Sequence, residues 1–245
     1  SDKATYNAPE MNHNILPTMV MSSLFDRVSR NAIAYLVYST DFVDAQRALS
    51  LARERAAEWN IDPKRVGIIG TGATGVQIIP IVAEKAGQLQ VFQRSPNWCT
   101  PLGNTQISKD EMEVIRKRYP NILEYVKITD TAFPYHRDQR KAIDVPAEER
   151  EAFFENLYNQ PGYGIWLSGF RDLLVNKESN KFLADFVADK IRSRVKDQTI
   201  AEKLIPKDHP FGGKRVPMET NYYEAYNKDN VHLVDIHEAP IVEIT

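Results

Sequence analysis

Residues 65–75 read Arg65-Val66-Gly67-Ile68-Ile69-Gly70-Thr71-Gly72-Ala73-Thr74-Gly75. A compact apolar strand runs straight into three glycines spaced G-x-G-x-x-G. Val76, Ile78, Ile79, Ile81, Val82 and Ala83 then recur at helical density as far as Gly87, and residues 89–92 (LQVF) make a second buried-type strand. Strand, glycine turn, helix and strand in this order form one βαβ unit, parallel and right-handed by the crossover rule.

Outward from this unit the pattern extends in both directions. Upstream, residues 33–38 (IAYLVY) read as a strand and residues 44–59 as a helix with Ala45, Ala48, Leu49, Ala52, Ala56 and Ala57 at helical spacing among Arg and Glu. Asp62-Pro63 marks a new start. Downstream, residues 108–205 are charged and helical, most clearly at 111–118, 146–158 and 180–195, with Pro161-Gly162 and the aromatic stretch 163–170 between them. Strand character returns at 231–234 and 241–244. The expected fold class is α/β, a Rossmann-type parallel sheet interrupted by a helical insertion. The expected division is an N-terminal segment at 1–63, a nucleotide-binding domain at 64–107 and 206–245, and the insertion at 108–205.

Composition narrows the function classes. The chain has 245 residues, 42% hydrophobic and 26% charged, with a net charge of -2, which gives no support to nucleic-acid binding. Cys99 is the single cysteine, so no internal disulfide forms and a reducing cytoplasm is expected. No apolar run approaches the roughly 18–20 residues of a membrane span. The start at Ser1-Asp2-Lys3, without Met or an apolar signal core, reads as a processed or trimmed end.

The glycines suggest the ligand. In such a turn Gly70 permits the bend, Gly72 lets a pyrophosphate approach the backbone, and Gly75 lets the helix lie close on the strand. The N–H groups of the first helical turn then face the phosphates at the positive end of the helix dipole. Ala73 and Gln77 belong to this turn and helix start, and Thr71 and Thr74 offer hydroxyl donors. At the end of the second strand an NAD enzyme places Asp or Glu for the ribose 2′-OH. Here Gln93-Arg94-Ser95 stands instead. A carboxylate repels a 2′-phosphate, whereas Arg94 can hold it by a charge-assisted contact, roughly a ten- to hundredfold preference for NADP(H).

The stretch VGIIGTGATGVQIIPIVAEKAGQLQVFQRSPNW at 66–98 resembles the NADPH-binding motif of type I Baeyer–Villiger monooxygenases. The likeness continues through GYGIWLSGFRDLLVNKESNKFLADF and IPKDHPFGGKRVPMETNYYEAYNKDNVHLVDI, and covers about 64–245. The resemblance implies that Lys214 joins Arg94 on the NADP 2′-phosphate, beside Ser95. It implies that Arg215 is the catalytic arginine near the flavin, where a guanidinium suits developing negative charge. It further implies FAD as a second cofactor, reduced by NADPH, and a ketone and O₂ as substrates that yield an ester or lactone. The first glycine fingerprint of that family, its F-x-G-x-x-x-H-x-x-x-W/F signature and its returning FAD segment have no counterpart in residues 1–245. A flavin-bearing segment or partner chain is therefore expected elsewhere, and a non-catalytic NADP-binding module is the alternative.

Residues 1–63 suggest another ancestry. DAQRALSLARERAAEWNIDPKRVGIIG is similar to the helix and strand before the nucleophile elbow of α/β-hydrolase esterases. A serine hydrolase needs Ser where Gly72 stands. The remaining candidates carry little chemistry. His13, His136, His209, His232 and His237 lack metal-ligand spacing, Cys99 reads as a packed thiol, and Tyr135, Tyr163, Trp166 and Phe170 read as packing around the insertion.

Overall fold

A computed structural model of the chain describes residues 32–36, 50, 54–59 and 61–242. Its centre is a four-stranded, all-parallel sheet in the order β1-β2-β3-β6. These strands are β1 (Ala32–Leu36), β2 (Ile61–Ile69), β3 (Gln88–Gln93) and β6 (Val231–Asp235). Val66 pairs with Leu89 and Ile68 with Val91, while Leu89 and Val91 pair onward with Val231 and Leu233. Val66, Ile68, Leu89, Val91 and Val231 are all buried. This is the apolar run expected of a parallel strand covered on both faces.

Helix α2 (Ala73–Lys85) crosses from β2 to β3 and buries Val76, Ile78, Ile79, Val82 and Ala83. Asn230, next to β6, donates its amide to the carbonyls of Ala83 and Ala86 at 3.1 and 2.8 Å. It thus satisfies orphan acceptors at the end of α2. The register brings Ile69 level with Phe92, and Gln93 level with Asp235. The glycine turn, Arg94 and residues 236–238 therefore emerge along one carboxyl edge, the edge at which parallel sheets bind ligands.

The insertion is mostly helical. Its helices are α3 (Lys109–Ile128), α4 (Ala147–Asn159), α5 (Gly164–Leu167), α6 (Lys177–Arg194) and α7 (Gln198–Leu204), with a 3₁₀ turn at Ala142–Asp144. Phe154 packs edge-on to Phe170, whose ring also meets Phe153, and Leu183, Val187 and Ile191 of α6 are buried beside them. The short ladder of β4 (Thr100–Pro101) and β5 (Met218–Glu219) and the helix α8 (Tyr222–Ala225) join insertion to sheet.

Several elements differ from the sequence expectation. Strand β2 begins at Ile61 and runs through Asp62-Pro63, which therefore marks no boundary. Proline is compatible with the opening residues of a strand. The upstream strand spans Ala32–Leu36 and lies beside β2, with an irregularity between Ala32 and Ala34. Residues 37–38 lie outside the described residues. Of the helix expected at 44–59, Ala56–Trp59 (α1) and the helical residues Ser50 and Glu54 are described, and the rest lies outside. Helix α3 continues ten residues past Arg118, through Pro120, because a helix with no buried residue tolerates one lost bond and starts on a complete Ser108–Glu111 capping box. The strand expected at 241–244 does not form at Ile241 and Val242, and residues 243–245 lie outside the described residues.

Candidate functional site

The three glycines of the turn answer to three different constraints. Gly70 has φ +97°, a backbone state that side chains disfavour, and its N–H donates to the Phe92 carbonyl at 2.8 Å. A Cβ at Gly75 would collide with the Gly70 carbonyl oxygen. At Gly72 φ is -75° and a Cβ would meet nothing within 4 Å. Among the described residues neither conformation nor packing requires glycine there, and the space in front of it is open. Val76 makes the first helical bond, to the Gly72 carbonyl at 2.9 Å, and Gly72 supplies no side-chain cap. The N–H groups of Ala73, Thr74 and Gly75 are consequently the orphan donors of α2.

Thr71 is placed differently from its expected role as a phosphate donor. It is buried, and its hydroxyl donates to the Ser95 carbonyl at 3.1 Å. Its proton is committed to tying the turn to the segment that carries Arg94. Gln77 also sits elsewhere, exposed on the flank of α2. It lines a groove of about 910 Å³ with Pro80, Ile81, Glu84, Asn104 and Lys228, apart from the residues around Arg94.

Arg94 and Ser95 lie in a second cleft, of about 790 Å³, between the ends of β3 and β6 and helix α7. Gln93 forms part of its wall: the side chain is buried and its Nε2 donates to the Lys203 carbonyl at 2.7 Å, across 110 residues of sequence. Lys203 is paired with Glu238 at 2.5 Å and Lys207 with Glu202 at 3.6 Å. Among the described residues Arg94 is the cation of this cleft that has no carboxylate partner. It is exposed.

Lys214 reaches the same region through Asp208, whose Oδ2 lies 3.1 Å from Lys214 Nζ and which itself lines the cleft. The other carboxylate oxygen of Asp208 meets His209 Nδ1 at 2.6 Å. These contacts, His209 first, hold the Asp208 carboxyl at about 2, against the desolvation that would raise it. Arg215 is exposed, and Asn97 Nδ2 holds its carbonyl at 3.1 Å.

A buried charge cluster absent from the sequence expectation anchors the segment after Arg215. The Arg194 guanidinium forms a fork on Glu224 at 2.6 and 2.8 Å, and contacts Glu219 at 2.7 Å and the Tyr158 hydroxyl at 3.0 Å. The Glu219 side chain is 1% exposed. Its second oxygen accepts from the Tyr222 N–H at 3.0 Å, at the start of α8. Tyr223 and Cys99 are fully buried alongside, and burial pushes the Cys99 thiol far above its usual range. The sequence held no local signal for this cluster, because its members lie on α4, α6, β5 and α8.

A parallel sheet with a glycine turn and crossover helix at its carboxyl edge defines a Rossmann-type fold. No family model matches the chain. Over 182 residues it is 79% identical to 2-oxo-Δ3-4,5,5-trimethylcyclopentenylacetyl-CoA monooxygenase of Pseudomonas putida, covering 74% of this chain and 33% of that protein. It is 38% identical over 188 residues to cyclopentanone 1,2-monooxygenase of Comamonas sp., across 76% of this chain and 34% of the relative. The solved structure of OTEMO with FAD and NADP matches at a TM-score of 0.73 and 78% identity, over 74% of this chain and 34% of that one. Cyclohexanone monooxygenase from Rhodococcus sp. bound to NADP⁺ matches at 0.71 and 35% identity, over the same shares of the two chains. The matched three quarters of the chain is homologous to Baeyer–Villiger monooxygenases. The chain spans about a third of the length of the curated relatives it matches.

Proposed function

We propose that this chain is the NADP(H)-binding portion of a flavin-dependent Baeyer–Villiger monooxygenase, a cytoplasmic enzyme that inserts one oxygen atom of O₂ into a ketone. The observation that carries the reading is the Arg94 guanidinium, without a carboxylate partner among the described residues, beside an open glycine turn. Three orphan N–H groups and a turn with space in front of Gly72 suit a pyrophosphate, and a free guanidinium at the end of β3 suits a 2′-phosphate. The nucleotide domain in this reading takes in the whole of β2, running from Ile61 to residue 107, and 206–245, with 108–205 as the insertion that closes the cleft through α7.

The work of this chain is binding and orientation. Ala73, Thr74 and Gly75 hold the pyrophosphate by backbone donors, Gly70 and Gly72 shape its seat, and Thr71 keeps Ser95 and Arg94 in register with it. Arg94 and Lys214 take the 2′-phosphate. Arg215, held through its carbonyl by Asn97, supplies positive charge to the reaction centre. FAD, when bound in the complete enzyme, supplies the redox chemistry with O₂, and a flavin-bearing segment or partner chain holds it. No helix among the described residues is long and apolar enough to cross a membrane, which is compatible with a cytoplasmic enzyme.

Calorimetric titration with NADPH and with NADH tests the reading. The expected result is tight NADPH binding with at least about a tenfold penalty for NADH. Equal affinities, or no binding of either, would overturn it. The visible spectrum of the same sample separates the two forms of the proposal: a flavin band favours the enzyme, and colourless protein that binds NADPH favours a nucleotide-binding module.

A further inference from the structure

Asp208 is an unexpected residue to find in a cleft read as an anion site. It lines the cavity that holds Arg94, and its two oxygens are both engaged, one by His209 Nδ1 at 2.6 Å and one by Lys214 Nζ at 3.1 Å. The two partners differ in burial. The His209 side chain is only 8% exposed, and the carbonyl of the same residue accepts from the indole N–H of buried Trp98 at 3.2 Å. Lys214 is 45% exposed on a flexible stem. The carboxylate is therefore anchored to the body of the protein, and the lysine is the partner free to leave.

The two lysines that line the cleft are also matched with carboxylates, Lys203 with Glu238 and Lys207 with Glu202. Arg94 is not. A ligand carrying a 2′-phosphate therefore meets one free guanidinium and one lysine already bound to a fixed negative charge. An exposed Lys–Asp pair is weak, so a dianion can draw Lys214 away. Once it has done so, the anchored carboxylate remains close by and repels it.

We propose that Asp208 is a specificity-determining residue, the counter-ion that stands on Lys214 in the place of the 2′-phosphate and lowers affinity for NADP(H) while leaving affinity for NAD(H) untouched. The inference rests on the NADP(H) reading of the cleft. It makes the preference conferred by Arg94 smaller than two free cations would give. It also keeps Lys214 beside the cleft before the nucleotide arrives.

The test is calorimetric titration of NADPH and NADH into the full chain and into its Asp208→Asn and Asp208→Glu variants. Asparagine keeps the size and one acceptor oxygen at a half-exposed position but loses the charge, and its amide NH2 cannot accept from Lys214 as the second carboxylate oxygen does. The expected result is NADPH binding tighter on the order of fivefold, the size of one like-charge contact near 4 Å in water. NADH binding stays unchanged, and the glutamate variant, which keeps the charge, behaves as the parent. Unchanged or weaker NADPH binding in Asp208→Asn would overturn the proposal, as would equal tightening of both nucleotides. A parent chain that does not prefer NADPH to NADH would instead overturn the underlying reading of the cleft.

Discussion

The glycine turn and the Arg94 cleft lie on the same edge of the sheet but are built by different means. The turn is backbone: a positive φ at Gly70, a close approach at Gly75 and open space at Gly72. All of it is contained in six consecutive residues. The cleft is made of side-chain charges and long-range tethers, with Gln93 reaching Lys203 and Lys214 reaching Asp208. The segment that carries Lys214 and Arg215 leads into Glu219 and α8, which Arg194 clamps to the insertion. A local motif can specify the first kind of site; the second exists only after the insertion has folded onto the sheet.

This contrast can be broken most severely at Arg194. Arg194→Met leaves the Glu219 carboxylate buried without its partner, a loss expected to destabilise the chain by about 3–5 kcal/mol. Urea unfolding measures it. A change under about 1 kcal/mol would mean that the clamp is dispensable and that the cleft side does not depend on the insertion.

The turn is next. Gly75→Ala pushes a methyl group into the Gly70 carbonyl and is expected to cost about 1–3 kcal/mol. Gly72→Ala, three residues earlier, has no such neighbour among the described residues. Its stability is expected to stay within about 0.5 kcal/mol of the parent while NADPH affinity falls. A variant pair with equal stabilities, or Gly72→Ala binding NADPH as tightly as the parent, would erase the distinction between a packing glycine and a ligand glycine.

The smallest effect is the protonation of Asp208. A carboxyl whose pKa is lowered on folding adds stability above its ordinary unfolded value, and that stability is lost as pH falls through the folded value. The folded value is about 2, so the window lies between the usual carboxylate range and pH 2. Following the Asp208 carboxyl carbon by NMR should show its midpoint near the bottom of that window. A midpoint near the usual value of about 3.9 would mean that the contacts to His209 and Lys214 do not hold in solution.

Legibility follows the same division. The sheet, the α2 crossover and the glycines were readable because apolar period and glycine spacing are local properties. So were α4 and α6, whose ends fall within three residues of the expected ones. The start of β2 was misread because Asp62-Pro63 looks like punctuation, although a proline can sit early in a strand. The hydroxyl of Thr71 was assigned to phosphate because nothing local shows that Ser95, 24 residues on, takes its proton. Arg94 was legible as a cation at the end of β3. That Lys203, Lys207 and Lys214 are each matched with a carboxylate was not, since Glu238, Glu202 and Asp208 reach them through tertiary contacts and the loop around residue 208. The Arg194 cluster could not be read at all, for its members come from four separate elements.

The central claim, that a backbone-built turn and a free guanidinium together make an NADP(H) site, is tested most directly by one substitution. Titrating 2′,5′-ADP and 5′-ADP into the parent chain and into Arg94→Ala isolates the 2′-phosphate from the rest of the dinucleotide. The account predicts that the parent prefers 2′,5′-ADP roughly ten- to a hundredfold, and that Arg94→Ala removes most of this preference while 5′-ADP binds as before. A parent chain that binds the two ligands equally, or an Arg94→Ala variant that keeps the full preference, would contradict it.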